Sequence, residues 1–191
     1  MKPKYSILVL AASLAIGTAN AATFTWTNAS GGSWAAPANW NAPPTFATDD
    51  VLDFSTLNIT ANAVTTIDAA VTAGTLKFGD ATTVSHNWTV NAGTGGALTL
   101  STTTGNPTIA TVAASDAVTI STPVSSTQTI FKTGAGTLNL TGANTFTGIF
   151  QLEPVASSVV NVSGDQSAAT GGGKSRASAP RAISSGVKID S

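Results

Sequence analysis

Apolar residues recur at every second position in short blocks along most of this chain. The pairs are Leu76/Phe78, Trp88/Val90, Leu98/Leu100, Val118/Ile120, Leu138/Leu140 and Val160/Val162, with mostly Thr, Asn and Ser around them. Period two marks a strand with one face buried, so the pattern predicts many short strands. Successive pairs are also evenly spaced. Leu76 to Leu98 is 22 residues, Leu98 to Val118 is 20, Val118 to Leu138 is 20 and Leu138 to Val160 is 22. A second series, Trp88–Ile109–Ile130, steps by 21. The phrase Ala-Gly-Thr-Leu occurs at 73–76 and again at 135–138, a separation of 62. A period near 21 with two strands in each unit predicts a β-solenoid over 57–173, with inward apolar ladders and outward Thr, Asn and Ser. About six rungs stacked roughly 4.8 Å apart give a rod on the order of 30 Å long. The ten-residue half period is also compatible with an antiparallel β-sandwich.

The ends of the chain depart from this pattern. Lys2 and Lys4, the apolar run 7–16 and Ala19-Asn20-Ala21 predict a secretory signal over 1–21, with an apolar run too short to span a bilayer. No later segment has eighteen consecutive apolar residues, so no transmembrane helix is expected. Residues 22–56 hold Trp26, Trp34 and Trp40 and a cluster of Pro37, Pro43 and Pro44. Two readings fit them: an aromatic cap over the first rung, or a sugar-binding platform that uses Trp34 and Trp40. Residues 174–191 turn basic and show no ladder pattern. They read as a disordered tail or as the aberrant end of a truncated or frame-shifted gene.

The clearest unit is 132–153, KTGAGTLNLTGANTFTGIFQLE. Gly134 and Gly136 predict a turn with positive φ. Thr137, Leu138 and Leu140 predict a strand with both leucines inward. Gly142 and Asn144 predict the next corner, where Asn adopts a left-handed conformation or bonds to backbone groups. Phe146 is expected inside, and Gly148 closes the unit. The segment from Lys132 to Gly148 resembles the autotransporter-associated β-strand repeat, with Phe146 where Tyr is commoner. Ile149 and Phe150 replace the usual Thr-rich continuation, so the next strand is expected to depart from the family pattern. The cap region and 160–172 resemble the family more loosely. The resemblance implies a right-handed parallel β-helix of passenger type, on a bacterial surface or secreted, without catalytic activity. It also implies further rungs followed by a membrane barrel or a sorting segment, neither of which 174–191 resembles.

Composition narrows the chemistry. Charged residues are 9% of the chain, against about a quarter in ordinary domains. There is no cysteine, which excludes disulfides, thiolate metal sites and cysteine nucleophiles. Four of the eight basic residues are Lys174, Arg176, Arg181 and Lys188, and two are in the leader. The body keeps only Lys77 and Lys132, so it has no basic face for nucleic acid.

The remaining candidates each have a plainer reading. Gly171-Gly172-Gly173-Lys174-Ser175 lacks the first glycine of a phosphate-binding loop, because Ala168 stands there. Asp49, Asp50 and Asp53 carry the oxygen ligands that Ca²⁺ needs, and paired carboxylates can cleave glycosides; turn-forming aspartates are the expectation. His86 is the only histidine and has no cysteine to join it in a metal site, and it is expected to face outward. The sequons at Asn58, Asn87, Asn139 and Asn161 matter only in a eukaryotic secretory route. The expectation is therefore a non-enzymatic exported solenoid without cofactor or metal, adhesive or structural, meeting cell-surface or extracellular glycans or proteins. A polysaccharide-binding or polysaccharide-cleaving β-helix is the alternative. An uncapped last rung at 160–163 would also expose strand edges for self-association.

Overall fold

The computed structural model describes residues 21–82, 86–153, 155–163, 176–177 and 187–189. The expected leader, apart from Ala21, lies outside them, as do the glycine run at 171–175 and most of the tail.

Seventeen strands, numbered in chain order, form three sheets. The first sheet stacks β1 (Thr23–Thr25), β3 (Val51–Phe54), β6 (Thr75–Phe78), β9 (Thr108–Thr111), β12 (Ile130–Thr133), β14 (Phe150–Leu152) and β16 (Arg176–Ala177). The second stacks β2 (Gly32–Ser33), β4 (Ala63–Ile67), β7 (Trp88–Ala92), β10 (Ala117–Ile120), β13 (Thr137–Leu140), β15 (Val159–Val162) and β17 (Val187–Ile189). The third holds β5 (Ala70–Ala73), β8 (Ala97–Leu100) and β11 (Val124–Ser125). A single 3-10 turn, Pro37–Asn39, is the one helical element among the described residues. The chain visits the sheets in turn, and every pair of named strands is parallel. The molecule is a parallel β-helix, and the antiparallel sandwich is excluded.

The coil differs from the expected one in two respects. It has three faces rather than two strands, and the evenly spaced series crosses between them. Leu76 is on the first sheet, Leu98 on the third and Val118 on the second. The two Ala-Gly-Thr-Leu phrases likewise lead into different sheets, β6 and β13. Steps of 20–22 residues are true coil steps at Val118–Leu138–Val160 and Lys132–Leu152. Elsewhere the step reaches 33 residues, from Leu76 to Ile109. Stacking fixes the strands, whereas corner loops lengthen at little entropic cost, so strand ladders keep register while loop lengths drift.

The inward positions form continuous ladders. On the second sheet Ala63, Trp88, Val118, Leu138 and Val160 stand over one another, beside Thr65, Val90, Ile120, Leu140 and Val162. On the third, Val71, Leu98 and Val124 do the same. All of these are buried. Outward positions carry a polar ladder: Asn161 Nδ2 donates to Asn139 Oδ1 at 2.8 Å, and Asn139 Nδ2 donates to Thr119 Oγ1 at 3.3 Å.

The first coil is closed by aromatic packing. Trp26, Trp34 and Trp40 surround Phe54 with ring centroids 5.3, 5.1 and 5.3 Å from it, and Phe54 stacks on Phe78 at 4.9 Å. The outer edge of β1 is blocked rather than free. Thr25 N donates to Asn41 Oδ1, Asn41 N to Thr25 O and Thr27 N to Asn39 O, around an antiparallel bridge between Trp26 and Trp40. Asn39 Nδ2 covers Ser33 O on β2.

At the other end, Phe150 continues the stack as part of β14 and is buried, so the continuation after Gly148 keeps the fold despite its unusual sequence. Two pieces of the tail also continue it. β16 pairs with β14 and β17 with β15, both in parallel. The tail therefore joins the stack where no ladder was expected, and the edge at 160–163 is covered.

Candidate functional site

The sixteen residues from Thr133 to Gly148 carry the chain from the first sheet round to the start of the next coil. Lys132, one residue before them, is the unexpected element. In the first sheet Phe24, Leu52, Leu76, Ile109, Lys132 and Leu152 form one inward column, so a lysine occupies an apolar position. It is 0% exposed.

The corner explains why. Gly134 has φ 72° and Gly136 has φ 106°. A Cβ on Gly134 would lie 2.1 Å from Thr111 O, and one on Gly136 would lie 2.5 Å from Ala113 O. The chain thus turns in a left-handed conformation pressed against the coil below, which only glycine permits. This tight turn aims two carbonyls toward the Lys132 amine. Lys132 Nζ donates to Thr133 O at 3.0 Å, to Gly134 O at 2.9 Å and to Ser158 Oγ of the next coil at 3.3 Å. An ammonium has three donors, and all three are used. Desolvation pushes the lysine down from 10.5 to about 8, against the opposing pull of the Glu153 carboxylate. The K-x-G-x-G spacing is a self-capped corner: glycines make the turn, and the lysine satisfies its carbonyls.

The rest of the unit also serves stacking. Thr137 N donates to Asp116 O at 2.9 Å, while Leu138 and Leu140 fill the core. Gly142 lies against the backbone of Thr122, and Gly148 against that of Gln128. Asn144 is buried and extends the third sheet by side chain: its Oδ1 accepts Val124 N at 3.0 Å. It does so without a left-handed backbone. Phe146 is buried and packs 6.0 Å from Phe150.

The other candidates are consumed by local structure. Asp50 is buried and accepts from Thr45 Oγ1 at 2.6 Å and Ala47 N at 2.8 Å. Asp53 accepts from Ser55 N and Ser55 Oγ, with Lys77 Nζ 3.9 Å away. Asp49 reaches across the stack to Thr103, accepting from its N at 2.8 Å and its Oγ1 at 2.6 Å. The three carboxylates point to three different tasks, and among the described residues no three His, Asp or Glu side chains converge on one point. His86 is half-buried, not outward, and its Nδ1 lies 2.9 Å from Asp80 Oδ2. Burial raises the Asp80 pKa, but hydrogen bonds from His86 and Thr82 outweigh it and hold the carboxylate below its ordinary value.

Trp34 and Trp40 do not form a surface platform. They are 1% and 5% exposed, and Trp40 Nε1 donates to Trp34 O at 2.9 Å. Their rings are drawn inward because the first coil has no neighbour below to bury Phe54. The one open depression worth noting is a groove of about 150 Å³ on the third sheet, lined by the hydroxyls of Thr99, Ser101, Ser125, Ser126, Thr127 and Thr145.

Sequence reasoning placed the turns and the leucines of this unit but missed the direction of the lysine. The signal was present: Ile130 and Lys132 are two apart on one strand and share a face.

Comparison with known families agrees with the geometry. The passenger-associated-transport-repeat model matches residues 130–153, which span β12, the capped corner, β13 and β14. No curated protein and no solved structure gives a match to the chain. No helix among the described residues is long and apolar enough to cross a membrane.

Proposed function

We propose that this chain is a non-enzymatic β-solenoid of passenger type, exported to a bacterial surface or beyond it, where it acts in surface structure or adhesion. The chain carries the repeat associated with autotransporter passengers. The observation that carries the proposal is the fate of that repeat's polar residues. Lys132 and Asn144 turn inward to complete corners and sheets, leaving no reactive group on the motif's surface. A module built this way supplies a scaffold, and its contacts with glycans or proteins fall to the uncharged Thr, Asn and Ser faces.

The test is expression of the full chain with an epitope tag, followed by fractionation and protease treatment of intact cells. Export predicts a mature species lacking the leader, recovered from the medium or removed by external protease. A full-length species confined to the cytoplasm overturns the proposal. The polysaccharide-binding alternative rests on the hydroxyl-lined groove rather than on the buried tryptophans. Glycan-array binding abolished by bulky substitutions at Thr99 and Ser125 would favour it. Self-association falls to the outer edges of β16 and β17, which pair on one side only among the described residues. Light scattering over a concentration series reads it.

A further inference from the structure

Lys132 is a cation held inside an apolar column, with Ile109 on one side and Leu152 on the other. Its amine makes two bonds within its own corner and a third to Ser158, which is fully buried in the corner leading to β15. The same junction is tied by Val159 N to Gly136 O at 3.1 Å and Gly136 N to Ser157 O at 3.2 Å. The third lysine bond therefore belongs to the contact between the coil of β12 and β13 and the coil of β14 and β15.

Few charges face this amine. Glu153 follows β14 and is exposed, with its N bonded to Lys132 O at 2.9 Å. Asp116 lies in the coil below, beside Gly136, and its Oδ2 is taken by Ala113 N at 2.8 Å. Ile109, Leu152 and Ser158 bring no charge. A buried ammonium held by neutral acceptors and one solvated carboxylate is costly.

The geometry points to a pH-sensitive joint at Lys132, where the β14–β15 coil opens separately from the rest of the stack when the amine is charged and closes more tightly when it is neutral. Desolvation sets the direction. The amine holds its proton less tightly in the closed stack, near 8, than in an opened one, near 10.5. The state that binds the proton better gains as pH falls, so protection is greatest at high pH and declines as pH drops from about 10.5 through about 8.

Hydrogen exchange on the full chain, corrected for intrinsic rates, tests this. Protection over 150–163 is expected to rise about thirty-fold between pH 6.5 and 9.5, while 63–78 stays level. Lys132→Met should abolish the rise. Glu153→Gln, at an exposed site, keeps the test decisive if the methionine variant does not fold: it should lower protection over 150–163 at pH 6.5 and leave it unchanged at 9.5. A flat wild-type profile overturns the joint. So does an unaltered rise in Lys132→Met, an unaltered profile in Glu153→Gln, or an equal rise over 63–78.

Discussion

At the scale of single residues, the repeat is a solution to one problem: turning a buried backbone without orphaning its carbonyls. Buried backbone groups must be paired, and parallel ladders supply partners only along the strands. At the Thr133–Gly136 corner the partner is the Lys132 amine, and the turn depends on two glycines. Gly136→Ala puts a methyl into left-handed backbone and within 2.5 Å of Ala113 O. The strain alone is expected to cost about 1–3 kcal/mol, and the clash adds to it. Thermal melts of the variant should show a clear drop relative to wild type. An unchanged melting temperature would mean that the corner is not built as described. How much of this was legible varies by residue. Gly134 and Gly136 announce a turn by type. The lysine does not announce itself, because a charge among alternating Thr, Asn and Ser is ordinarily an outward residue. Only its parity with Ile130 gives it away.

At the scale of elements, two kinds of side chain close the sheets where backbone pairing stops. Asn144 extends the third sheet past β11 through an amide oxygen. The segment 35–41 folds back over β1 and β2, and Trp26, Trp34 and Trp40 seal the first coil around Phe54. Trp40 touches Trp26, Trp34, Phe46 and Phe54, which makes it the hub of this cap. Trp40→Ala should destabilise the protein by about 3–5 kcal/mol. By freeing the edge of β1 it should also increase aggregation. Denaturant unfolding with parallel light scattering reads both effects. A variant of native stability that binds a sugar less well would instead favour the platform reading of the cap. Composition foretold that tryptophans gather at this end but not which way they face. Burial is decided by the missing neighbour beneath Phe54, a property of the stack rather than of the segment.

At the scale of the whole molecule, the chain is a stack whose strands keep register while its corners vary. That is why the alternation of Leu, Val and Ile revealed a solenoid while the arithmetic of spacing misassigned its faces. Leu76, Leu98 and Val118 stand about a coil length apart yet occupy three sheets, because loops such as 101–107 lengthen some coils and not others. The third sheet was hidden for the same reason: β5, β8 and β11 were counted as rungs of the other two. The account's central claim is this three-sheeted parallel register, and the absence of cysteine makes it directly testable. Cysteine pairs placed outward at Thr119 and Asn139 on the second sheet, and at Thr99 and Ser125 on the third, are register partners in neighbouring coils. Treated with a short bifunctional thiol reagent, each pair should crosslink within one chain and rapidly. A pair that joins the two sheets, Thr99 with Thr119, should not. Failure of the in-register pairs, or equal crosslinking of the pair that spans two sheets, would contradict the stack.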